Sequence, residues 1–561
     1  MKEVLIINLT RMGDLIQTTP TIISLKEQYP DVRITLLVNT AFKEICEYLP
    51  HVDRYFHIDK RVVLKMIENN GFIDAYRMVR NVLNRVNDTV YDRVINFTHS
   101  RSSAIVTSMI RAKDVRGISI DNKGFTMKRH PWIRYVFNVI PSRYVNPFHL
   151  CDMHFKSATR NIPSKKGLHL IVKEEKRKWA EELLRKNGLR EGQSLIAFQL
   201  GASAEDKRWP VESFARLADI LHRKWGSLIL LTGSRGEVGF GEEFCRKSNA
   251  KTINMMGKTD LTELAALLER ADLLVSNDTG PLHVATAVGT KAIDISLASV
   301  HFRETGPYGE GHYVISADIP CYPCAFESNC EYLTCKKKIT PEAVFNVCEL
   351  ALGKTDRLEP SLFRELQVYR SGFDRDGLMT YRPIIKRKLS LNELFMHLYR
   401  YTWQVVLDRK EPTEEADFGD YMDRALSDYE ENRDLDETLS EYIEAFSRLQ
   451  GLVNTLLSVI GVMKRAAQRK EADLEFINKL WENIKPVDKE IEKLGCLYPM
   501  IRPIVVMLGY EKESFESSEL EDIIKEAEVA YRYALWQAVE IGKMLARLKS
   551  SSTHNLTAVG S

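Results

Sequence analysis

Short apolar, β-branched runs alternate with helical periodicity through about the first 350 residues. VLIINL (4–9) precedes DLIQTTPTIISLKEQYP, whose apolar residues recur at helical spacing, and VRITLLVN (32–39) follows. The pattern continues through VDRYFHID, a long polar helix near 60–87, YDRVINFT (91–98) and the helix SSAIVTSMIRA. It resumes with helix EEKRKWAEELLRKNGL, which Gly188 suits as a C-cap, then SLIAFQL (194–200), VESFARLADILHRKWG, SLILLTGS, LTELAALLER, ADLLVSN and KAIDIS. Strands apolar along their whole length, joined by helices, predict largely parallel sheets covered on both faces, an α/β architecture. Two doubly wound domains in series, 1–165 and 166–354, predict a ligand cleft between them.

Beyond about residue 355 the strand-like runs cease. The stretches 390–408, 436–468, 471–494 and 519–549 carry helical spacing, as in Ile443, Phe446, Val453, Leu456, Ile460 and Met463. A helical C-terminal module over 355–549 is expected, with 550–561 as a disordered tail. A chain of 561 residues, 44% hydrophobic and 28% charged, is too long for one compact domain. Its formal net charge of +2 gives no overall electrostatic case for nucleic acid. No run of 18 apolar residues occurs, and MKEVLIINLTRMGD meets charged residues too soon for a signal peptide, so a cytoplasmic location is expected.

In open α/β sheets ligands bind beyond the carboxyl ends of strands, so polar residues gathered there are functional candidates. In NLTRMGDLIQ, Asp14 begins a helix; it is an N-cap or a general base that takes a proton from an acceptor hydroxyl. In QLGASAEDKRWPVESF, Ser203 suits a cap or a phosphate contact, and Lys207 is a solvated or a phosphate-binding cation. LTGSRGEVGFG carries four glycines but fails the G-x-G-x-x-G spacing, which argues against a nicotinamide site. Glu237 in that stretch is a nucleoside contact or a carboxylate favoured by a helix N-terminus. In SNDTGPLHVA, Thr279 and Gly280 offer backbone N–H groups at a helix start, and Gly280 lets a diphosphate approach. Asp278 is a cap or a ligand contact, and His283 is a phosphate donor or a satisfied buried histidine.

The stretch DNKGFTMKRHPWIRY (121–135) interleaves Lys123, Lys128, Arg129 and Arg134 with Phe125 and Trp132. That mixture suits an anionic lipid-linked glycan, a membrane surface or a solvated basic face. Arg11 and Arg101, near strand ends, are further candidates for an anionic acceptor. Cys321, Cys324, Cys330 and Cys335 crowd into fifteen positions. Their spacing suits a structural zinc or iron site with four thiolates, or reduced thiols.

The MGD turn after the first strand, the DKRWP segment after the first strand of the second domain, and NDTGPLHVA, in that order, resemble glycosyltransferase family 9, the ADP-heptose:lipopolysaccharide heptosyltransferases. The resemblance covers roughly residues 1–352. It implies a GT-B fold of two Rossmann-like domains facing across a cleft. It also implies inverting, metal-independent transfer from ADP-heptose to a lipopolysaccharide core or related surface glycan, with no cofactor for catalysis. Asp14 then resembles the general base, Ser203 and Lys207 the donor-phosphate contacts, and Glu237 a nucleoside contact. Asp278, Thr279, Gly280 and His283 resemble the loop that holds the diphosphate and sugar. A lipid-linked acceptor places Arg11, Arg101, Lys128 and Arg129 on its side of the cleft, with peripheral contact at the inner membrane face. Other readings are a GT-B enzyme using a UDP or GDP sugar, a nucleotide-sugar epimerase, and a non-catalytic scaffold. The helical module has no counterpart in the family pattern, and oligomerisation, binding of a protein partner and packing on the transferase domains stay open.

Overall fold

The first apolar run forms β1 (Glu3–Asn8), buried along its whole length. It pairs in parallel with β2 (Arg33–Asn39) on one side and β4 (Tyr91–Asn96) on the other. With β3 (Arg54–Ile58) beside β2 and β5 (Ala112–Ile120) beside β4, the order is β3-β2-β1-β4-β5. The computed structural model describes the chain apart from residues 160, 326–329, 411–414, 431, 469–473, 516, 518 and 558–561. The contacts divide it into two compact units, 1–123 with 148–385, and 124–147 with 386–561. The next strand, β6 (Thr126–Arg129), falls in the second of these.

A second sheet completes the first unit. It contains β7 (Leu195–Gln199), β8 (Leu228–Thr232), β9 (Thr252–Asn254), β10 (Leu273–Asn277), β11 (Ala292–Ile295), β12 (Tyr313–Ala317), β13 (Leu366–Phe373) and β14 (Met379–Pro383). Their order is β14-β13-β12-β11-β10-β7-β8-β9, parallel except at the β12-β13 and β13-β14 pairs. Residues such as Phe198, Leu230 and Val275 are fully buried, because helices cover both faces. The direction of winding reverses between β1 and β4 in one sheet and between β7 and β10 in the other. The carboxyl ends at such reversals frame crevices.

The β-sheet region therefore runs past 354 to Pro383. The β13-β14 hairpin was not expected, because Gln367, Arg370, Thr380 and Arg382 interrupt its apolar residues, as an antiparallel edge with a polar face requires. The long helix expected near 60–87 is two, Lys60–Glu68 and Phe72–Val86, broken at Asn70 in the left-handed region (φ 59°).

The second unit is mainly helical. Asp436–Ala467 buries Leu439, Tyr442, Phe446, Leu449, Val453, Leu456, Ile460 and Met463 along one stripe. Its neighbour Leu520–Thr557 buries Ile524, Ala527, Tyr531, Ala534, Ala538, Ile541 and Leu545 at alternating spacings of three and four. The alanines let the two axes approach. Asp436–Ala467 is long and apolar enough, by composition, to cross a membrane; the packed stripe accounts for much of that apolarity. The tail expected from 550 is helical through Thr557, and 558–561 lie outside the described residues.

Residues 124–147 belong to this helical unit instead of forming a basic surface of the first domain. Trp132 is fully buried and donates from Nε1 to Asp408 Oδ1 at 2.9 Å. Tyr135 packs 5.3 Å from the Trp403 ring, and Asn138 Nδ2 donates to Pro503 O at 2.9 Å. Arg134, 8% exposed, pairs with Glu511 at 3.1 Å, and Arg409 pairs with the same carboxylate oxygen at 2.6 Å.

Candidate active site

The two crevices of the first unit open into one cavity of about 750 Å³. The first sheet contributes Arg11, Met12, Gly13, Asp14 and Gln17 after β1, and Ala41, Phe42 and Glu44 after β2. The second contributes Gln199 at the end of β7 with Ala202, Ser203 and Lys207 after it, Gly233, Ser234 and Glu237 after β8, Thr259, Asp260, Leu261 and Leu264 after β9, and Asp278, Thr279, Gly280, Pro281 and His283 after β10.

Amide side chains at the strand ends hold these loops. Asn277, fully buried, donates from Nδ2 to Leu200 O at 3.1 Å and Gly201 O at 3.0 Å, while Oδ1 accepts the Trp209 N–H at 2.9 Å. It thus ties the loop carrying Ser203 and Lys207 to the one carrying Asp278 and Thr279. Asn8 holds the other side, donating from Nδ2 to Asp14 O at 3.0 Å and accepting the Thr10 N–H at 3.3 Å.

Asp14 stands in the short helix Met12–Ile16, where its Oδ2 accepts the Arg11 N–H at 3.2 Å. Its Oδ1 makes no hydrogen bond among the described residues. The carboxylate therefore caps its own turn with one oxygen and keeps the other for the cavity. Opposite lies the helix Gly280–Ala287. A Cβ on Gly13 would sit 2.7 Å from His283 Cδ2, and one on Gly280 would sit 2.7 Å from Met12 Cε. Two glycines thus let the MGD and TGP turns touch.

His283 is 6% exposed, with Gln17 Nε2 at 3.1 Å from its Nε2. Burial lowers its pKa to about 4, against the pull of the Asp14 charge. At neutral pH it is an uncharged hydrogen-bonding group. Asp278 shows the reverse shift: burial raises it to about 6, opposed by the Lys207 charge and by the Thr305 hydroxyl, which donates to Oδ2 at 3.3 Å. Lys207 has no hydrogen-bonded or ion-paired partner among the described residues, so its ammonium is available to an anion. Thr279 Oγ1 donates to Asn277 O at 3.2 Å, which leaves the first N–H groups of the helix without a side-chain cap.

Glu237 caps its own turn and lines the cavity. Its Oε2 accepts the Ser234 N–H at 2.7 Å and the Ser234 hydroxyl at 2.8 Å, capping the following helix. A Cβ on Gly201 would lie 1.5 Å from Glu237 Oε1, so this carboxylate rests against bare backbone at the cavity wall.

Behind Asp278, on the register partner of Ser276, stands Asp294. It is fully buried, and neither carboxylate oxygen has a hydrogen-bond partner among the described residues. Burial first, and then the nearby Asp278 charge, holds this carboxyl well above the usual carboxylate range.

Residues 79–334 match the model of glycosyltransferase family 9 (heptosyltransferase). The chain carries a glycosyltransferase family 9 domain. It is 24% identical over 323 residues to the lipopolysaccharide core heptosyltransferase OpsX of Haemophilus influenzae, covering 56% of this chain and 84% of that protein. It is also 24% identical over 296 residues to lipopolysaccharide heptosyltransferase 3 of Escherichia coli, covering 52% and 80%. A crystal structure of a family 9 glycosyltransferase from Veillonella parvula superposes with a TM-score of 0.52 at 25% identity, covering 63% of this chain and 98% of that one. The chain is a glycosyltransferase.

Arg11, Asp14, Ser203, Lys207, Glu237, Asp278, Thr279, Gly280 and His283 share the cavity. Arg101, which opens the helix Arg101–Ser108, does not line it. Lys128 and Arg129 do not line it either; they lie on β6 of the helical unit. There Lys128 pairs with Glu513 at 3.1 Å and stands 4.4 Å over the Tyr510 ring, so its charge is already neutralised within its own unit.

The four-cysteine metal site is not supported. Among the described residues no three His, Cys, Asp or Glu side chains gather to hold a metal. Cys335 is buried in the core of the second sheet domain, whereas Cys321 is exposed, so spacing along the chain does not become convergence in space.

Sequence reasoning missed Gln17, Phe42, Asp260, Leu261, Leu264 and Asp294. Asp260 carries a readable signal, a capping box with Glu263 in DLTE. The others are joined to the site only by tertiary packing.

Proposed function

We propose that this family 9 enzyme has the GT-B arrangement and transfers a heptose, with inversion and without a catalytic metal, from ADP-heptose to a lipopolysaccharide core or related surface glycan. The observation that carries the reading is the pairing, across one cavity, of Asp14 on one side with Lys207, Asp278 and the Gly280–Ala287 helix start on the other. The names of the matched relatives, both heptosyltransferases acting on lipopolysaccharide, support the sugar and the acceptor class.

In this reading the donor diphosphate lies at Thr279 and Gly280, where N–H groups and the helix dipole favour negative charge, with Lys207 and Ser203 on its oxygens. The nucleoside extends towards Leu261 and Leu264, an apolar stretch of wall, with the Glu237 carboxylate for the ribose hydroxyls. Asp14 Oδ1 removes the acceptor hydroxyl proton as that oxygen attacks the anomeric carbon from the face opposite the diphosphate. The new C–O bond forms as the bond to phosphate breaks, and ADP leaves with the electron pair. Lys207 and the helix start stabilise its growing charge, which is why we assign departure to protein groups and not to a divalent ion. Neutral His283 supplies a hydrogen bond and Arg11 flanks the acceptor side. We place the reaction at the cytoplasmic face of the inner membrane.

Calorimetric titration with ADP, UDP and GDP, followed by transfer assays with ADP-heptose and a lipopolysaccharide-core acceptor, tests the proposal. Selective ADP binding weakened by Lys207→Ala is expected. Asp14→Ala should lose at least about 1000-fold in turnover with donor affinity within a few fold, since the base acts only in the transition state. Selection of UDP or GDP assigns another donor. An Asp14→Ala variant with most of the wild-type rate overturns the base assignment.

A further inference from the structure

His149 does not line the cavity, yet it joins the first sheet domain to the loop that carries one of the cavity's walls. It is 1% exposed and caps the helix Leu150–Ala158, its Nδ1 accepting the Cys151 N–H at 3.1 Å. That helix is fastened to the first sheet: Arg93 of β4 donates to Ala158 O and Arg116 of β5 donates to Ser157 O, each at 2.7 Å. With Nδ1 used as an acceptor, the ring carries its proton on Nε2, which donates to Gly306 O at 3.1 Å in the connection between β11 and β12. Burial lowers the pKa of this ring to about 3, so it makes both bonds uncharged.

The surrounding contacts leave the Gly306 turn little freedom. The Tyr308 ring lies 4.8 Å from that of His149, and its hydroxyl donates to Asp152 Oδ1 at 2.7 Å, while Asp152 Oδ2 accepts the Met379 N–H at 2.9 Å. A Cβ on Gly306 would lie 2.5 Å from Phe302 O and 2.9 Å from the Tyr381 hydroxyl. Directly before Gly306 stands Thr305, whose hydroxyl donates to Asp278 Oδ2 at 3.3 Å, and both Thr305 and Asp278 line the cavity. A continuous chain of contacts thus runs from His149 through Gly306 and Thr305 to Asp278, the residue that precedes the Thr279–Gly280 turn.

We propose that His149 is a positioning residue for the donor: from the first sheet domain it fixes the Thr305–Gly306 turn, and through Thr305 it holds Asp278 and the turn after it in the orientation that binds a nucleoside diphosphate. This role rests on the donor reading of the cavity and adds a residue outside it, on the opposite sheet domain, that sets donor affinity. Two substitutions separate the role from the helix cap. His149→Asn keeps a short acceptor suited to the cap but does not reach Gly306 O, whereas His149→Gln reaches that carbonyl with a donor and caps poorly.

Hydrogen exchange over residues 304–308 of the nucleotide-free protein, and calorimetric titration with ADP, UDP and GDP, test the proposal in the full-length chain. In His149→Asn the exchange should accelerate by about tenfold or more, and affinity for the nucleotide that the wild type prefers should fall by about tenfold. His149→Gln should stay within about threefold of the wild type in both. In a Thr305→Val background His149→Asn should cost less than about twofold further in affinity, because the route to Asp278 is already cut. Unchanged exchange in His149→Asn overturns the proposal, as do equal affinity losses in the asparagine and glutamine variants or full additivity with Thr305→Val. Lys207→Ala keeps the two readings apart. If it weakens nucleotide binding while His149→Asn binds like the wild type, the role of His149 alone falls. If the wild type binds none of the three nucleotides, or Lys207→Ala leaves affinity unchanged, the donor reading itself falls and the role of His149 with it.

Discussion

Replacing Asn277 by alanine removes the side chain that joins the ends of β7 and β10. The amide is fully buried and satisfies three backbone groups, Leu200 O, Gly201 O and Trp209 N, at 3.1, 3.0 and 2.9 Å. An orphaned buried donor or acceptor costs about 1–3 kcal/mol, and a water entering the vacated volume offsets part of that. The expected loss is about 3–5 kcal/mol, with weaker donor binding because Lys207 and Thr279 ride on the two released loops. Asn277→Asp separates the contributions: it keeps an acceptor for the Trp209 N–H but sets a carboxylate against two carbonyl oxygens. Urea unfolding gives the total, and hydrogen exchange at the Trp209 amide gives the local effect. Both variants should be destabilised, but exchange at Trp209 should accelerate by about tenfold or more in the alanine variant alone. A loss below about 1 kcal/mol for Asn277→Ala, or equal Trp209 exchange in both variants, refutes the clamp.

Gly13→Ala should lower the midpoint of thermal unfolding more than Gly280→Ala, because its Cβ meets the buried His283 ring, whereas the other meets the movable end of Met12. The reverse order would contradict that packing. Asp278 has its pKa raised from 3.8 to about 6 by burial against the pull of Lys207, with Glu304 and Asp14 pushing it further up. An acid raised in the folded state favours folding below pH 3.8 and loses that contribution as pH rises through about 6. A bound diphosphate raises it again, so ADP binding near pH 6.5 should take up protons, as read by calorimetry in buffers of different ionisation enthalpy. Uptake that survives Asp278→Asn would rule this out. In the helical unit, Glu511→Ala leaves the guanidiniums of Arg134 and Arg409 without their shared carboxylate. It should cost about 3 kcal/mol in denaturant unfolding, and a loss under about 1 kcal/mol would show that those charges find other partners.

The strands legible in the sequence are those covered on both faces, such as β7 and β10, because such burial demands an unbroken apolar run. The β13-β14 hairpin was not, since Gln367, Arg370, Thr380 and Arg382 break up its apolar residues, a pattern that also describes a loop. The polar residues now sharing the cavity were findable because they cluster just past strand ends, where topology sends ligands. Gln17, Leu261 and Leu264 were not, for each reads as an ordinary helix residue. Lys128 and Trp132 misled for a different reason: basic and aromatic residues in alternation describe an exposed patch equally well as an interior one. What decides between them is Asp408, Glu511 and Glu513, hundreds of positions away. The cysteine spacing misled similarly, since closeness in sequence sets no direction for a side chain.

One regularity spans both sheets. The strands flanking the two reversals end in Asn8, Asn96, Gln199 and Asn277, amides in every case. Asn96 donates to Thr107 Oγ1 at 2.9 Å and Ile118 O at 3.1 Å, and accepts the Thr98 N–H at 2.8 Å. Gln199 Oε1 accepts the Thr232 hydroxyl at 3.1 Å. An amide offers both donors and an acceptor, so it can satisfy a buried loop without adding charge. A carboxylate at Gln199 or Asn277 would add negative potential near Asp278 and the helix start, where burial already pushes the Asp294 carboxyl upward. It would also oppose any anion drawn to Lys207. The framework is therefore polar but neutral, and charge is confined to groups that face the cavity. That division leaves Asp14 Oδ1 without a hydrogen-bond partner among the described residues on one wall while the opposite wall remains receptive to phosphate.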